Sequence, residues 1–208
     1  MHNNITMLEL PSPTDIQAGV DEAGLGCLYG PCVAAAVVLP REYHDEYENI
    51  RDSKKLTAEK RAQLSKFIKE TAITYGIGIS SVQEIDTHNI LQANYLAMHR
   101  ALKQVCEIVE IDEILIDGNR FKQFHEIRHK CIVKGDDKHL SIAAASILAK
   151  HHRDQLILEA VEENPVLKEY GIHKNKGYGS AQHLAAIKKL GIIEGGHRTS
   201  YGPCSRSK

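Results

Sequence analysis

The stretch IQAGVDEAGLGCLYGPCVAAAVVL, residues 16–39, decides the fold. Residues 16–20 form a short, largely apolar segment that predicts a β-strand. Residues 32–39 are an unbroken run of apolar and small side chains, and their length suits a buried strand better than a helix. Residues 24–31 between them hold too much Gly and Pro for a regular element, which indicates a loop. The stretch therefore predicts two adjoining strands joined as a hairpin.

Helical and strand patterns alternate along the rest of the chain. Helices are predicted over residues 57–71, after the capping box Ser81–Glu84, from Asn89 onward, over 140–163 and over 180–190, and strands over 72–80, 113–116 and 131–133. A hairpin followed by alternating helices and strands predicts an α/β fold with a mixed sheet. We expect one domain over residues 1–208, with a core of about residues 16–163 and a basic helical segment of about residues 166–201.

Composition places the chain among ordinary globular proteins. With 208 residues, of which 42% are hydrophobic and 25% charged, it is not a disordered, collagen-like or coiled-coil chain. No apolar run approaches the length of a membrane span and the N-terminus lacks a signal pattern, so we expect a cytoplasmic protein without a membrane partner. The five cysteines are scattered and never spaced C-x-x-C, which argues against a disulfide framework or a zinc site.

The net charge of −1 conceals an uneven distribution of charge along the sequence. Up to Asp117 the chain carries 10 basic and 18 acidic residues, and after it 16 basic and 9 acidic residues. In the basic half, Tyr178 stands between two glycines beside Lys176, where a ring could stack on a sugar or base while lysines contact phosphates. A solvated basic tail explains the charge alone equally well.

Four acidic residues stand at the ends of predicted strands: Asp21, Glu22, Asp117 and Asp136. Any one of them alone is more often a solvated surface residue. Together they are unusual because each follows an apolar strand and has glycine nearby, where α/β sheets tend to build sites. Clustered carboxylates repel each other unless cations neutralise them, and hard divalent ions such as Mg²⁺ or Mn²⁺ are suited to this. Two such ions would indicate metal-dependent phosphoryl chemistry.

Eight sequence blocks, taken together, resemble the bacterial ribonuclease HII family. They are GVDEAG (19–24), GPCVAAAVVLP (30–40), DSKKL (52–56), IDG (116–118), KGDDKHLSIAAASILAK (134–150), RD (153–154), KGYGS (176–180) and HRTSY (197–201). The resemblance implies an RNase H-like fold, a mixed β-sheet flanked by helices with a small C-terminal helical extension. It also implies an endonuclease that cuts the RNA strand of RNA–DNA hybrids and cuts 5′ of single ribonucleotides embedded in duplex DNA. The products would carry 3′-hydroxyl and 5′-phosphate ends, nucleic acid would be the partner, and the protein would act as a monomer.

The resemblance assigns the four strand-end acids to catalysis and to binding two divalent ions, Mn²⁺ or Mg²⁺. Asp21 is expected to bridge both ions, and Asp117 and Glu22 to bind on one side each. Asp136 is expected to serve the ion that prepares the attacking water. Asp137 competes for this last place, but its spacing from the IAAAS block fits the family less well than that of Asp136.

Substrate contacts follow from the same resemblance. Tyr178 matches the tyrosine that packs on the deoxyribose after the ribonucleotide, and Lys54 and Lys55 match phosphate contacts. Other conspicuous residues are interpreted as structural at least as readily as functional: His197, Arg198, Ser200, the small residues 143–146, and the pair His151-His152, whose members do not share a helix face.

The substrate loop departs from the family at one position. The family has G-R-G where this chain has Gly24-Leu25-Gly26. The resemblance implies that the main chain of this loop reads the 2′-hydroxyl, which both retained glycines still permit. We expect intact chemistry with weaker binding and a salt dependence reduced by about one charge. Tyr29 is a second departure, which could fill the space left by the arginine or merely pack.

Two other functions compete with a ribonuclease of this type. A transposase-like or resolvase-like DNA nuclease would share the strand-end carboxylates, and it would cut an all-DNA duplex. A protein with weakened junction activity that mainly binds hybrids is suggested by Leu25. Retention of all four carboxylates argues against a pure binder, since an anionic cluster facing phosphates does not favour binding.

Overall fold

The computed structural model describes residues 8–51 and 53–205, and the predicted hairpin lies at the centre of its sheet. Strands β1 (Gln17–Ala23) and β2 (Cys32–Val38) pair antiparallel. The five-stranded sheet has the order β3-β2-β1-β4-β5. Strand β3 (Thr74–Ser80) is antiparallel to β2, whereas β4 (Glu113–Asp117) and β5 (Arg128–Ile132) continue parallel from β1. The mixed α/β fold is therefore confirmed.

The predicted helices begin and end close to their predicted positions, and two further one-turn helices were not predicted. The helices are α1 (Ala58–Thr71), α2 (Val82–His88), α3 (Ile90–Cys106), α4 (Leu140–Glu163), α5 (Ile172–Asn175), α6 (Ala181–Leu190) and α7 (Gly202–Ser205), and the two that were not predicted are α5 and α7. Thr57 caps α1, Ser81 and Glu84 form the predicted capping box of α2, and the Asn89 side chain accepts the first amides of α3. None of the helices in the described ranges is both long and apolar enough to cross a membrane.

The sheet separates two apolar layers because strand residues alternate between its faces. Ala18 and Val20 of β1 face α3, and Ala23 faces the layer formed by α1 and α4. Between them, Gly19 allows α4 to approach the sheet, since a Cβ there would lie only 2.2 Å from the main-chain carbon of Ser141. This close approach fixes α4 directly against the strand that carries Asp21.

The outer edge of β3 is bonded to side chains of α3. The Gln104 amide accepts from the Ile77 amide at 3.1 Å and donates to the Ile77 carbonyl at 2.7 Å. Arg100 donates to the carbonyl of Ile79 at 2.6 Å. The main chain of the edge strand therefore bonds to side chains on its outer side and to the β2 main chain on its inner side.

The residues after α4 form the predicted helical extension. Leu167, Ile172 and Ile187 pack on Ile157 of α4 and on Leu28 of the hairpin loop, within one buried apolar cluster. The extension thus covers the loop that joins β1 to β2. Arg206 and Lys208 of the predicted basic tail, and Asp52 of the DSKKL block, lie outside the described residues.

Two strand predictions were wrong in their limits. Strand β1 continues past residue 20, so Asp21 and Glu22 lie within it and pair with Ala35 and Ala34 of β2. Strand β2 is long enough to pair with both acids, although the pairing of β1 with β4 stops at Val20. Strand β5 ends at Ile132 and begins three residues before the predicted start, because its alternating polar residues hide it from a search for apolar runs.

Candidate metal centre and substrate loop

Three of the four predicted acids converge at one edge of the sheet. Carboxylate oxygens of Asp21, Asp117 and Asp136 lie within 4.8 Å of one another. Asp21 comes from β1, Asp117 is the last residue of β4, and Asp136 lies in the short 3-10 turn after β5. The Gly135 amide donates to Asp117 at 2.7 Å, which ties this turn to the end of β4. Adjacent parallel strands therefore deliver the three groups to the same place.

Glu22 is not part of this set of three. Consecutive residues of a strand point to opposite faces, so Asp21 is directed toward Ser146 of α4 and Glu22 toward Asn94 of α3. Glu22 still interacts electrostatically with Asp117 and Asp136. It therefore lies beside the cluster of three rather than within it.

Burial and mutual repulsion make it energetically unfavourable for all the acids of this cluster to be ionised at once. Burial, followed by repulsion from Glu22, raises the pKa of Asp21 well above its usual value. Burial and then repulsion from Asp117 raise the pKa of Glu22 to about 7. Carboxylate oxygens are the ligands that hard divalent cations prefer, and a cation would remove the repulsion. The donor set therefore fits a divalent metal ion.

Ser146 supports Asp21 in a way that the sequence did not predict. The sequence pattern predicts a packing role for Ser146, but its hydroxyl hydrogen-bonds Asp21 and lies 2.9 Å from the Ser53 hydroxyl. Arg61 in turn donates to the Ser53 carbonyl at 3.2 Å. The DSKKL segment is thus connected to Asp21 through two hydroxyls.

The two predicted phosphate-binding lysines lie in different positions relative to the cluster. The Lys54 ammonium group lies 3.9 Å from an Asp136 oxygen, and its side chain is 75% exposed. Lys55 instead forms an ion pair with Asp137. Among the described residues, the cluster contains Asp136 and not Asp137. The assignment of Asp136 rather than Asp137 as a metal ligand stays a prediction.

The loop Gly24-Leu25-Gly26 is held from beneath by two fully buried arginines. Gly24 has φ of +97° and passes so close to Arg153 that a Cβ would lie 2.2 Å from its Nε. Arg153 donates to the carbonyls of Tyr29, Pro31 and Lys176 at 2.9–3.0 Å. The helix α4 thus binds both the hairpin loop and the start of the KGYGS segment.

Arg198 binds the same loop from the C-terminal extension. It donates to the carbonyls of Leu25 and Gly30 at 3.0 Å and to that of Pro31 at 3.1 Å. The sequence favours a structural role for Arg198 at least as much as substrate contact, and these contacts show the structural role. Within residues 8–51 and 53–205, neither buried arginine forms an ion pair with a carboxylate. The loop therefore rests on two positive charges balanced by main-chain dipoles.

The two arginines bind carbonyl groups of the loop and do not bind its amide groups. Inside the described ranges, the amides of Leu25 and Gly26 make no hydrogen bond. Leu25 is 37% exposed. The loop thus presents N–H groups and an apolar side chain at the surface.

Tyr178 is held at the mouth of the extension with its ring partly open. Its side chain is 41% exposed, with the Lys150 ammonium 5.5 Å and the Arg153 guanidinium 5.9 Å from the ring centroid. Tyr178 pairs with Cys27 in an isolated bridge, which places it beside the loop. Tyr29, by contrast, is buried against the His197 ring at 5.2 Å, so this departure from the family serves packing.

Ser200 and Thr199 are anchored structurally. The Asp86 carboxylate accepts from the amides and hydroxyls of both residues at 2.6–3.0 Å. His151 and His152 are partly buried on α4 and belong to no cluster of metal-ligating groups in the described part of the chain.

By its fold, the chain is an RNase H-like protein. It superposes on the crystal structure of ribonuclease H2 from Pyrococcus horikoshii with a TM-score of 0.72, at 24% identity over 91% of this chain and 95% of that one. It superposes on Bst-RNase HIII in complex with Mn²⁺ with a TM-score of 0.71, at 22% identity over 97% of this chain and 70% of that one.

Sequence comparison then gives the family. The Ribonuclease HII family profile matches residues 18–204. The chain is 51% identical to the ribonuclease HII of Christiangramia forsetii over 88% of this chain and 89% of the relative. It is 45% identical to that of Cytophaga hutchinsonii over 95% of each chain. The chain therefore belongs to the ribonuclease HII family, whose members are metal-dependent nucleases of the ribonuclease H type.

Proposed function

We propose that this protein hydrolyses the RNA strand of RNA–DNA hybrids and cuts 5′ of single ribonucleotides embedded in duplex DNA. The observation that carries the proposal is the convergence of Asp21, Asp117 and Asp136 within 4.8 Å. These three, with Glu22 beside them, would hold two divalent ions. Bound there, Mn²⁺ or Mg²⁺ would supply an activated water and stabilise the leaving oxygen, which gives 3′-hydroxyl and 5′-phosphate ends.

The chain's own residues supply recognition in this proposal. Leu25 and Gly26 are exposed and their amides make no hydrogen bond within the described residues, so these N–H groups would contact the 2′-hydroxyl. The exposed Tyr178 ring would pack on the following deoxyribose. Lys54, beside Asp136, would contact a phosphate. Cytoplasmic location and a monomeric state stay predictions.

Cleavage assays on matched duplexes test this function. Labelled duplexes with zero, one or four ribonucleotides are incubated with Mg²⁺, Mn²⁺ or a chelator. We expect metal-dependent cuts only where ribonucleotides are present. Cleavage of the all-DNA duplex would instead favour a DNA nuclease, and failure to cut any ribonucleotide-containing duplex with either metal would overturn the proposal.

A weakened junction enzyme that mainly binds hybrids is the second candidate, and Leu25 favours it. The Leu25→Arg variant should bind substrate more tightly, and the slope of log K against log salt should steepen by about one charge. Fluorescence anisotropy with a non-cleaved duplex at several salt concentrations measures both quantities. Leu25→Gln is the matched control, because it adds polarity without charge. Unchanged affinity and slope in Leu25→Arg would contradict the expectation.

Metal binding should weaken as pH falls through about 7. In the metal-free protein the pKa of Glu22 is raised to about 7 and that of Asp21 is also raised, so a cation must displace protons at lower pH. Each displaced proton lowers the apparent affinity by up to about tenfold per pH unit. Calorimetric titration of Mn²⁺ at pH 6, 7 and 8, in buffers of different ionisation enthalpy, counts the protons released. Glu22→Gln should release fewer protons, whereas a pH-independent affinity would refute the expectation.

A further inference from the structure

Two buried histidines face each other beneath Tyr178. The Nε2 atoms of His183, in α6, and His197, in the segment after α6, lie 3.0 Å apart. Both residues are fully buried. One of the two nitrogens must therefore donate a proton to the other.

The remaining contacts fix the direction of this hydrogen bond. The Ile193 amide donates to Nδ1 of His197 at 2.8 Å, so the proton of neutral His197 lies on Nε2. Nδ1 of His183 lies 2.9 Å from the Tyr178 carbonyl, which can only accept, so His183 carries its proton on Nδ1. The bonds run from the Ile193 amide through His197 and His183 to Tyr178, and every donor meets an acceptor.

The surroundings keep both rings neutral. Tyr29 and Tyr170 pack on His197 with ring centroids 5.2 Å away, and Tyr170 also meets His183 edge-on at 6.2 Å. Burial and the neighbouring His183 lower the pKa of His197 to about 4, and burial also lowers the pKa of His183. An additional proton would place two N–H groups against each other across the 3.0 Å contact.

We propose that His183 and His197 are positioning residues for substrate recognition, acting as a neutral hydrogen-bonded relay that orients the main chain of Tyr178. The relay connects His197, after α6, to Tyr178, before α6. It therefore crosses α6, which begins directly after the KGYGS segment. This inference rests on the proposed contact between the Tyr178 ring and the deoxyribose. If the two rings only packed in the core, His183 would not need its proton on Nδ1, His197 would not need its proton on Nε2, and neither would need an acceptor on Tyr178.

Nitrogen NMR of the unmodified protein tests the relay independently of activity. Long-range ¹⁵N–¹H spectra at pH 7.5 should show His183 protonated on Nδ1 and His197 protonated on Nε2. Protonation of His183 on Nε2 would overturn the relay, even if every activity measurement agreed with the proposed function.

Paired variants test its effect on recognition. The Tyr178 carbonyl accepts from His183 and also from the Ser180 amide at 2.8 Å. His183→Leu removes the side-chain donor of this pair, whereas His183→Asn keeps a donor near the same position. We expect His183→Leu to raise KM for a single-ribonucleotide duplex about fivefold with little change in kcat, and His183→Asn to recover most of the loss. In a Tyr178→Ala background, His183→Leu should raise KM no further.

The double-variant comparison separates positioning from general damage. Equal effects of His183→Leu in both backgrounds, with kcat lowered as well, would show a merely structural role and overturn the positioning proposal. If Tyr178→Ala itself leaves KM unchanged, the proposed ring contact fails, and positioning for substrate recognition fails with it. The tautomers observed by NMR would then report on the hydrogen bonds alone.

Discussion

Asp21→Asn is expected to reduce cleavage of a ribonucleotide-containing duplex by about 10³-fold or more at saturating Mn²⁺. Asp21 is buried in the cluster with Asp117 and Asp136, and with them it would hold the divalent ions. Metal ions contribute several kcal/mol to transition-state stabilisation, and each 1.4 kcal/mol is about tenfold in rate. Single-turnover cleavage of the labelled duplex measures the loss.

The same substitution should stabilise the metal-free protein at pH 8. The folded-state pKa of Asp21 is raised, so its contribution to folding stability declines as pH rises above the unfolded value of about 3.9. Asn carries no charge at either pH. In chelator, the Tm of Asp21→Asn should therefore exceed that of the wild type by more at pH 8 than at pH 5. Substituting a metal ligand would lower activity while raising Tm, whereas substituting a structural residue would lower both activity and Tm.

Neighbouring acids provide the matched control. Asp136→Asn should lose activity as Asp21→Asn does, whereas Asp137→Asn, which breaks only an exposed ion pair with Lys55, should retain it within about twofold. The assignment of Asp136 would be wrong if Asp137→Asn abolished hydrolysis and Asp136→Asn did not.

Arg153→Met is expected to lower the free energy of unfolding by about 3 kcal/mol or more. The substitution keeps a long apolar side chain but leaves the Tyr29 carbonyl without a donor and the Lys176 carbonyl with only the weak Cys27 thiol donor at 3.8 Å. A buried acceptor left without a donor costs about 1–3 kcal/mol. The Pro31 carbonyl keeps a donor from Arg198. Urea denaturation in chelator measures the change.

Two further arginine variants show whether the fork shape matters. Arg153→Lys keeps the charge but cannot reach three carbonyls at once, so it should lie between the wild type and Arg153→Met. Arg120→Met changes an exposed residue and should stay within about 0.5 kcal/mol of the wild type. Equal urea midpoints for Arg153→Met and the wild type would refute a supporting role for this side chain.

Most of the fold could be predicted because its signals are local. The capping box of Ser81 and Glu84 and the long run over residues 140–163 report their own helices directly. Strand β5 was misplaced because its residues alternate in exposure, and only the partner β4 makes RHKCI a strand. The extension of β1 through Asp21 likewise depends on pairing with β2, which no local pattern records.

The candidate site divides in the same way. The convergence of Asp21, Asp117 and Asp136 could be predicted because apolar strands followed by acids and glycine are visible in the sequence. The contacts of Ser146, Arg153 and His183 could not be predicted, because their partners are main-chain carbonyls and hydroxyls supplied by other segments. One signal was available for Arg153: it lies on the same buried stripe of α4 as Ile157 and Val161, at intervals of four.

The side chains at the outer edge of β3 determine where the sheet ends. An incoming strand would need the Ile77 amide and carbonyl, and Gln104 already occupies both. A second chain could extend the sheet there only by first displacing an amide and a guanidinium that belong to the same molecule. Along this edge the sheet stops at five strands because one of its own helices supplies the hydrogen bonds that a sixth strand would bring.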